Sequence, residues 1–203
     1  MSRKAHPEND RAAGNLMDRR RLCSLACGCA ALASEVVLPA SQVPLTEATP
    51  SSESWLTSED RIAVALMEFR MGFHCSQSVM AAYAEDFGLD PEIVRRLVAG
   101  LAGGSTVGGE CGAVGGAYLV LGLRHGRPVP AFGDVEKEAE LFRRIERFVE
   151  EFRARHGAIT CRELLGIDVF SKKGRQTGLE KGLFASRCPA FIQSSIEILE
   201  ELG

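Results

Sequence analysis

Apolar positions recur at helical spacing through most of the chain from Trp55 onward, and no segment alternates apolar and polar residues as a half-buried strand would. Thr57 or Ser58 caps a first helix that runs through Ile62, Leu66 and Phe69, with Glu59 and Asp60 in its first turn and Gly72 past its end. Residues 76–87 read as a second helix stopped by Gly88. Asp90 then caps a third with Pro91 in its first turn, and Ile93, Leu97, Val98 and Leu101 form its expected buried face. A glycine-dense stretch, 103–109, leads into a run of small apolar residues, 111–121, whose all-round apolarity predicts a buried helix pressed close against other backbone. The longest predicted helix spans 134–156, with Phe142, Ile145, Val149 and Phe152 on its apolar face. Short helical elements follow at 161–165 and, after Pro189, at 190–202. The expected fold is all-α: a compact bundle of about five to seven helices with a glycine-rich loop.

Before Trp55 the pattern changes. Arg19, Arg20 and Arg21 precede a short apolar run, 22–33, with small residues at Ala31 and Ala33, the three-part layout of an export signal. The run is well short of the roughly 20 residues that a membrane-crossing helix needs. Adjacent arginines and a glycine- and alanine-rich apolar run lean towards the twin-arginine route, although Asp18 stands where that signature has Ser or Thr. Cleavage after Ala33 or Ala40 fits, Met17 is an alternative start, and a basic arm on a cytoplasmic protein is the bland alternative. Residues 34–54, rich in Pro, Ser and Thr without periodicity, read as a disordered tether. The expected organisation is therefore a signal over 1–33, a linker over 34–54 and one helical domain over 55–203. The mature chain would have no transmembrane span and would be exported, to a periplasm or its equivalent.

Charge narrows the function classes. The net charge of −3 becomes −6 once the signal and its six basic and three acidic residues are removed, so no general basic surface exists for nucleic acid. Of the seven cysteines, Cys23, Cys27 and Cys29 fall in the signal. The remaining four, Cys75, Cys111, Cys161 and Cys188, are separated by 36, 50 and 27 residues. No CxxC knuckle and no CxxCH haem-attachment motif is present. Each of the four falls at an expected helix start, where unpaired amides and the helix dipole favour thiolate, the form that binds metal or attacks disulfides. Converging ends of this kind would suit an iron–sulfur cluster or a metal ion. Buried core cysteines or two ordinary disulfides are the alternatives.

Other candidates are weaker. His74 could ligate or carry a proton, but a histidine near a helix start is commonly structural. His125 and His156 follow helices and complement their dipoles. Glu110 is a cap or a supporting group. The glycine stretch lacks the Lys-Ser/Thr of a phosphate loop, and no Ser-His-Asp or paired-carboxylate set stands out, so no catalytic residue is assigned.

Four blocks carry a resemblance: Cys75-Ser76-Gln77-Ser78-Val79, Gly109-Glu110-Cys111-Gly112-Ala113-Val114-Gly115-Gly116-Ala117, Cys161-Arg162-Glu163-Leu164-Leu165-Gly166 and Arg187-Cys188-Pro189. On these the chain resembles the redox-active family named for its cysteine pattern, C_GCAxxG_C_C, over residues 56–202. Glu110 and Gly112 stand where that name has Gly and Ala. The family is similar to the non-haem part of split-Soret cytochrome c, an exported dimeric redox protein. The resemblance implies an iron–sulfur cluster, of the [2Fe–2S] kind, with Cys75, Cys111, Cys161 and Cys188 as ligands. It implies electron transfer to an unidentified redox partner protein, leaves a homodimer open, and favours a carrier over a substrate-converting enzyme. A metal-free thiol–disulfide protein or sensor, and a helical binding domain with structural cysteines, are the alternatives.

Overall fold

The computed structural model describes residues 56–126 and 135–203. The expected signal, including Arg19, Arg20 and Arg21, and the expected tether lie outside the described residues. Within them the chain is all-α, as its periodicity predicts. Eight α-helices are described: α1 (Ser58–Arg70), α2 (Cys75–Ala81), α3 (Pro91–Val98), α4 (Gly112–His125), α5 (Val135–His156), α6 (Cys161–Leu165), α7 (Lys172–Glu180) and α8 (Leu183–Leu202). None of them is long and apolar enough to cross a membrane.

The N-terminal signals work as read. Thr57 caps α1, with its side chain accepting from the Asp60 amide while the Asp60 carboxylate accepts from the Thr57 amide. Asp90 caps α3 ahead of Pro91. α2 sits at the centre, packed by α1, α3, α4 and α8, and α8 also packs on α1, α4 and α5. Every residue from Ser76 to Met80 is buried, so the polar ones among them have to be satisfied internally. Ser76 donates to the Val98 carbonyl at 2.9 Å, Gln77 to the Arg95 carbonyl at 2.9 Å and Ser78 to the His74 carbonyl at 3.0 Å.

Four expectations are corrected. The second helix does not run to Phe87: it ends at Ala81, and a short 3-10 turn, Glu85–Phe87, follows before left-handed Gly88. The Ala82 carbonyl, which a continuing helix would give to the Asp86 amide, instead accepts from buried Arg61 at 2.6 Å, and the Asp86 carboxylate accepts from the same guanidinium at 2.6 Å. On α3 the buried residues are Val94 and Val98, while Ile93 and Leu97 are 66% and 74% exposed. The roll of α3 is set by Arg95, which binds both carboxylate oxygens of Glu68 and lies over the Phe73 ring. On α5 the core residues are Phe148 and Phe152, and Phe142 is exposed, because it lies roughly a third of a turn round the helix from Phe148.

The last correction concerns the C-terminal end. α8 starts at Leu183, not at Ala190, so Pro189 lies inside it. α7, preceding it, has no apolar period and two glycines, which is why pattern alone does not predict it. Both glycines are sites of close approach. A Cβ on Gly174 would fall 1.9 Å from the Asp168 carbonyl oxygen, and one on Gly178 would fall 2.6 Å from the Phe184 ring.

Candidate redox site: four thiols at one cavity

Cys75, Cys111, Cys161 and Cys188 are far apart in sequence, and the fold brings them into one electrostatic neighbourhood. Two backbone devices do most of the positioning. The first is an exchange between the starts of α4 and α6: the Cys111 amide donates to the Ile159 carbonyl at 2.8 Å, and the Cys161 amide donates to the Gly109 carbonyl at 2.7 Å. Glu110 and Thr160 thereby form an isolated antiparallel bridge between the two cysteine segments. The second is the seam between α4 and α2. A Cβ on Gly112 would lie 3.2 Å from the Leu101 carbonyl oxygen and 3.3 Å from the Ser76 nitrogen, and a Cβ on Gly116 would lie 3.1 Å from Cβ of Val79. Bare backbone at these two positions lets α2 approach α4 and sets Cys75 beside the start of α4.

Three thiols occupy helix starts as expected: Cys75 and Cys161 open α2 and α6, and Cys111 caps α4. Cys188 does not; it lies in the second turn of α8, where Pro189 also removes the amide hydrogen that the Ala185 carbonyl would otherwise receive. All four are free thiols, so neither of the alternative disulfides is present. The expected general lowering of thiol pKa also fails. Burial pushes Cys111 up to about 12 against the pull of the Ala113 and Val114 amides, and pushes Cys161 up to about 11. Cys188 alone is lowered, because the Cys75 thiol donates a hydrogen bond to its sulfur. Cys75 is correspondingly held well above the ordinary thiol value, first by that bond, then by burial and by its three thiol neighbours.

Cys75, Cys161 and Cys188 face a common cavity of about 890 Å3, while Cys111 is buried behind them. The cavity wall is mostly apolar and includes Phe69, Phe73, Phe170 and Phe184. Gly103 and Thr106 bring the glycine-rich stretch to the same wall. Its backbone is left-handed at Gly103, Gly104, Ser105 and Thr106, a conformation that costs roughly 1–2 kcal/mol at each of the two non-glycine residues. At Gly104 a side chain is excluded outright, since its Cβ would sit 2.3 Å from the Gly109 carbonyl oxygen. Strain of this kind persists where surrounding structure over-determines it, commonly beside functional sites.

The weaker candidates resolve as structural neighbours. His74 caps α2 and lines the cavity. His125 meets the Gly203 carbonyl at 3.0 Å, His156 packs against the Phe152 and Phe191 rings, and Glu110 accepts from the Tyr118 hydroxyl. Phe69 was legible only as part of the apolar face of α1, and Phe73, Phe170, Phe184 and Arg175 were not singled out by the sequence at all, because nothing in their spacing joins them.

Residues 73–202 match the family described as "Putative redox-active protein (C_GCAxxG_C_C)". The chain belongs to this family. No curated protein and no solved structure matches it. Within the C_GCAxxG_C_C pattern, the departure at Gly112 has a local cause, because the Leu101 carbonyl and the α2 backbone leave little room there for the methyl of an alanine. The departure at Glu110 is accommodated by exposure and by the Tyr118 hydroxyl.

Among the described residues, no three His, Cys, Asp or Glu side chains are grouped closely enough to hold one metal ion. The donor set is nonetheless all sulfur, four in number, and drawn from four separate elements, with three of the four facing the cavity. A polynuclear cluster spaces its ligands more widely than one ion does, and four thiolates is the usual ligand set of small iron–sulfur clusters.

Proposed function

We propose that this chain is an exported, haem-free electron-transfer protein whose Cys75, Cys111, Cys161 and Cys188 hold an iron–sulfur cluster, of the [2Fe–2S] kind. The observation that carries the reading is the convergence of four unbridged thiols from four elements within mutual electrostatic reach. A bound cluster would supply one-electron chemistry near the protein surface. The chain's own residues do the rest. Cys111 and Cys161 are held in register by the backbone exchange at Glu110 and Thr160, and the Ala113 and Val114 amides point to the Cys111 sulfur, favouring its deprotonated form. The apolar wall limits water at the site. Export by the twin-arginine route accords with Arg19, Arg20 and Arg21 ahead of the short apolar run, since that route carries proteins already folded around a cofactor.

A second reading is favoured by the hydrogen bond between Cys75 and Cys188. Two neighbouring thiols with pKa values driven apart can act as a dithiol. Formation of one S–S bond then releases two protons and passes two electrons to an acceptor disulfide, which becomes two thiols.

The test is an absorption spectrum of the full chain purified without oxygen, with iron, acid-labile sulfide and zinc assayed on the same sample. Iron and sulfide in equal amounts, with a visible band that dithionite bleaches and that Cys111→Ser and Cys188→Ser abolish, is the expected result. An unchanged spectrum in both variants overturns the ligand assignment. A colourless zinc protein overturns electron transfer. Metal-free protein whose thiols titrate reversibly in pairs selects the dithiol reading.

A further inference from the structure

The cavity in front of the thiols is much larger than four sulfurs or a small cluster require. Its volume of about 890 Å3 falls in the range of roughly 300–1,000 Å3 typical of small-molecule pockets. Phe69 comes from α1, Phe73 from the loop before α2, Phe170 from the loop before α7 and Phe184 from α8, so four separate segments supply aromatic surface to one space. Val169 and Leu179 add aliphatic wall. No carboxylate is among the described lining residues, and Arg175 is the one lining residue with a permanent charge. Its guanidinium is anchored by donation to the Val169 carbonyl at 3.0 Å and the Phe170 carbonyl at 2.6 Å, bonds that use fewer than its five donor hydrogens.

These features define a ligand. It is flat and largely apolar, to lie among phenylalanine side chains. It offers an acceptor oxygen to a guanidinium and brings no cation. It shares the cavity with the redox site that Cys75, Cys161 and Cys188 line, so it is a molecule that exchanges electrons. Dinucleotides and flavin nucleotides bring long polar and phosphate-bearing parts, for which this wall has few partners. We propose that the cavity binds a quinone, with its ring among the phenylalanines and one carbonyl oxygen accepting from Arg175. The choice of an electron-exchanging ligand rests on the redox reading above; the apolar wall and the arginine do not.

Calorimetric titration of the anaerobically purified full chain with 2,3-dimethyl-1,4-naphthoquinone tests this. Both ring positions open to thiol attack are methylated in that probe, so heat reports binding and not arylation. Saturable binding of one quinone per chain is expected. Leu179→Glu, on an exposed part of the wall, and Ala185→Trp, which fills the space, weaken it by about tenfold or more, a loss of about 1.4 kcal/mol or more. Arg175→Gln weakens it less. Ile93→Glu, on an exposed residue outside the cavity, leaves it unchanged. Circular dichroism checks that each variant keeps its helices. Absence of saturable binding in the parent chain, or equal binding in all four variants, overturns the proposal. Iron, sulfide and thiol assays on the same samples separate the two readings. An intact redox centre without quinone binding overturns this inference alone; quinone binding without a redox centre supports the cavity and overturns the proposed function.

Discussion

At the scale of single residues, burial outweighs helix-end polarity at Cys111 and Cys161, while the bond between Cys75 and Cys188 drives that pair apart. Cys111 retains its proton to about pH 12 and Cys161 to about pH 11, whereas a thiol in the unfolded chain ionises near pH 8.5. A folded-state pKa raised in this way gives stability that is full below the unfolded value and lost as pH rises through the folded value. Metal-free protein is therefore expected to lose stability steadily between about pH 9 and 12. Urea midpoints measured across that range check it. A Cys111→Ala/Cys161→Ala variant is expected to show a shallower decline, and an identical slope would mean that these thiols are not held neutral by the fold. Cys188 runs the other way, since its lowered pKa contributes stability that disappears as pH falls through the folded value.

At the scale of elements, the contact between α2 and α4 fixes the site more than any one ligand does. Val79 and Ser76 stand so close to Gly116 that even one added carbon, 3.1 Å from the Val79 Cβ and 3.2 Å from the Ser76 carbonyl oxygen, makes them give way, and a branched side chain presses on α2 further. Gly116→Val is expected to cost about 1–3 kcal/mol by overpacking, read from denaturant midpoints, and to separate Cys75 from the start of α4. Loss of the Cys75-dependent chemistry together with stability would follow, whereas Gly122→Ala, with nothing near the added Cβ, is expected to keep the chemistry and to raise stability by up to about 1 kcal/mol. The small residues of 111–121 were legible in the sequence as a close-packing helix, and that reading holds. The partner of this helix was not legible, because small residues state that something comes near without stating what.

The largest scale shows a buried charge network that periodicity gave no reason to expect. Arg61, 1% exposed, pairs with Asp86 at 2.6 Å, and its Nε lies 3.7 Å from Glu200; it also lies over the Tyr83 ring. Arg124 reaches Glu200 at 2.9 Å and sits near the same ring. The Tyr83 hydroxyl donates to Glu200, so α1, the segment after α2, α4 and α8 are joined through one set of polar groups. Asp86→Ala removes the shortest ion pair of buried Arg61 while the Ala82 carbonyl and Glu200 stay within its reach, so the change is expected to destabilise by about 1–3 kcal/mol. Arg61→Leu together with Asp86→Ala is expected to cost less than the sum of the two single changes. Denaturant unfolding of the parent, the two single variants and the double variant checks this, and strict additivity would mean that the pair is not coupled.

The sequence by itself determined the all-α class, the capped starts of α1 and α3, the small-residue helix and the four cysteines that carry the family pattern. Each of these depends on local chemistry: a cap needs a side chain three residues from an amide, and a helix face needs only its own period. Only the tertiary structure decided which side of α3 and of α5 turns inward, where α2 stops, that α7 forms, and that Cys188 lies inside α8. These outcomes depend on groups distant in the chain, such as Arg61 taking the Ala82 carbonyl and Arg95 reaching Glu68. The cavity belongs to the same class, since its four phenylalanines share no spacing and meet only because four segments fold onto one end of the bundle.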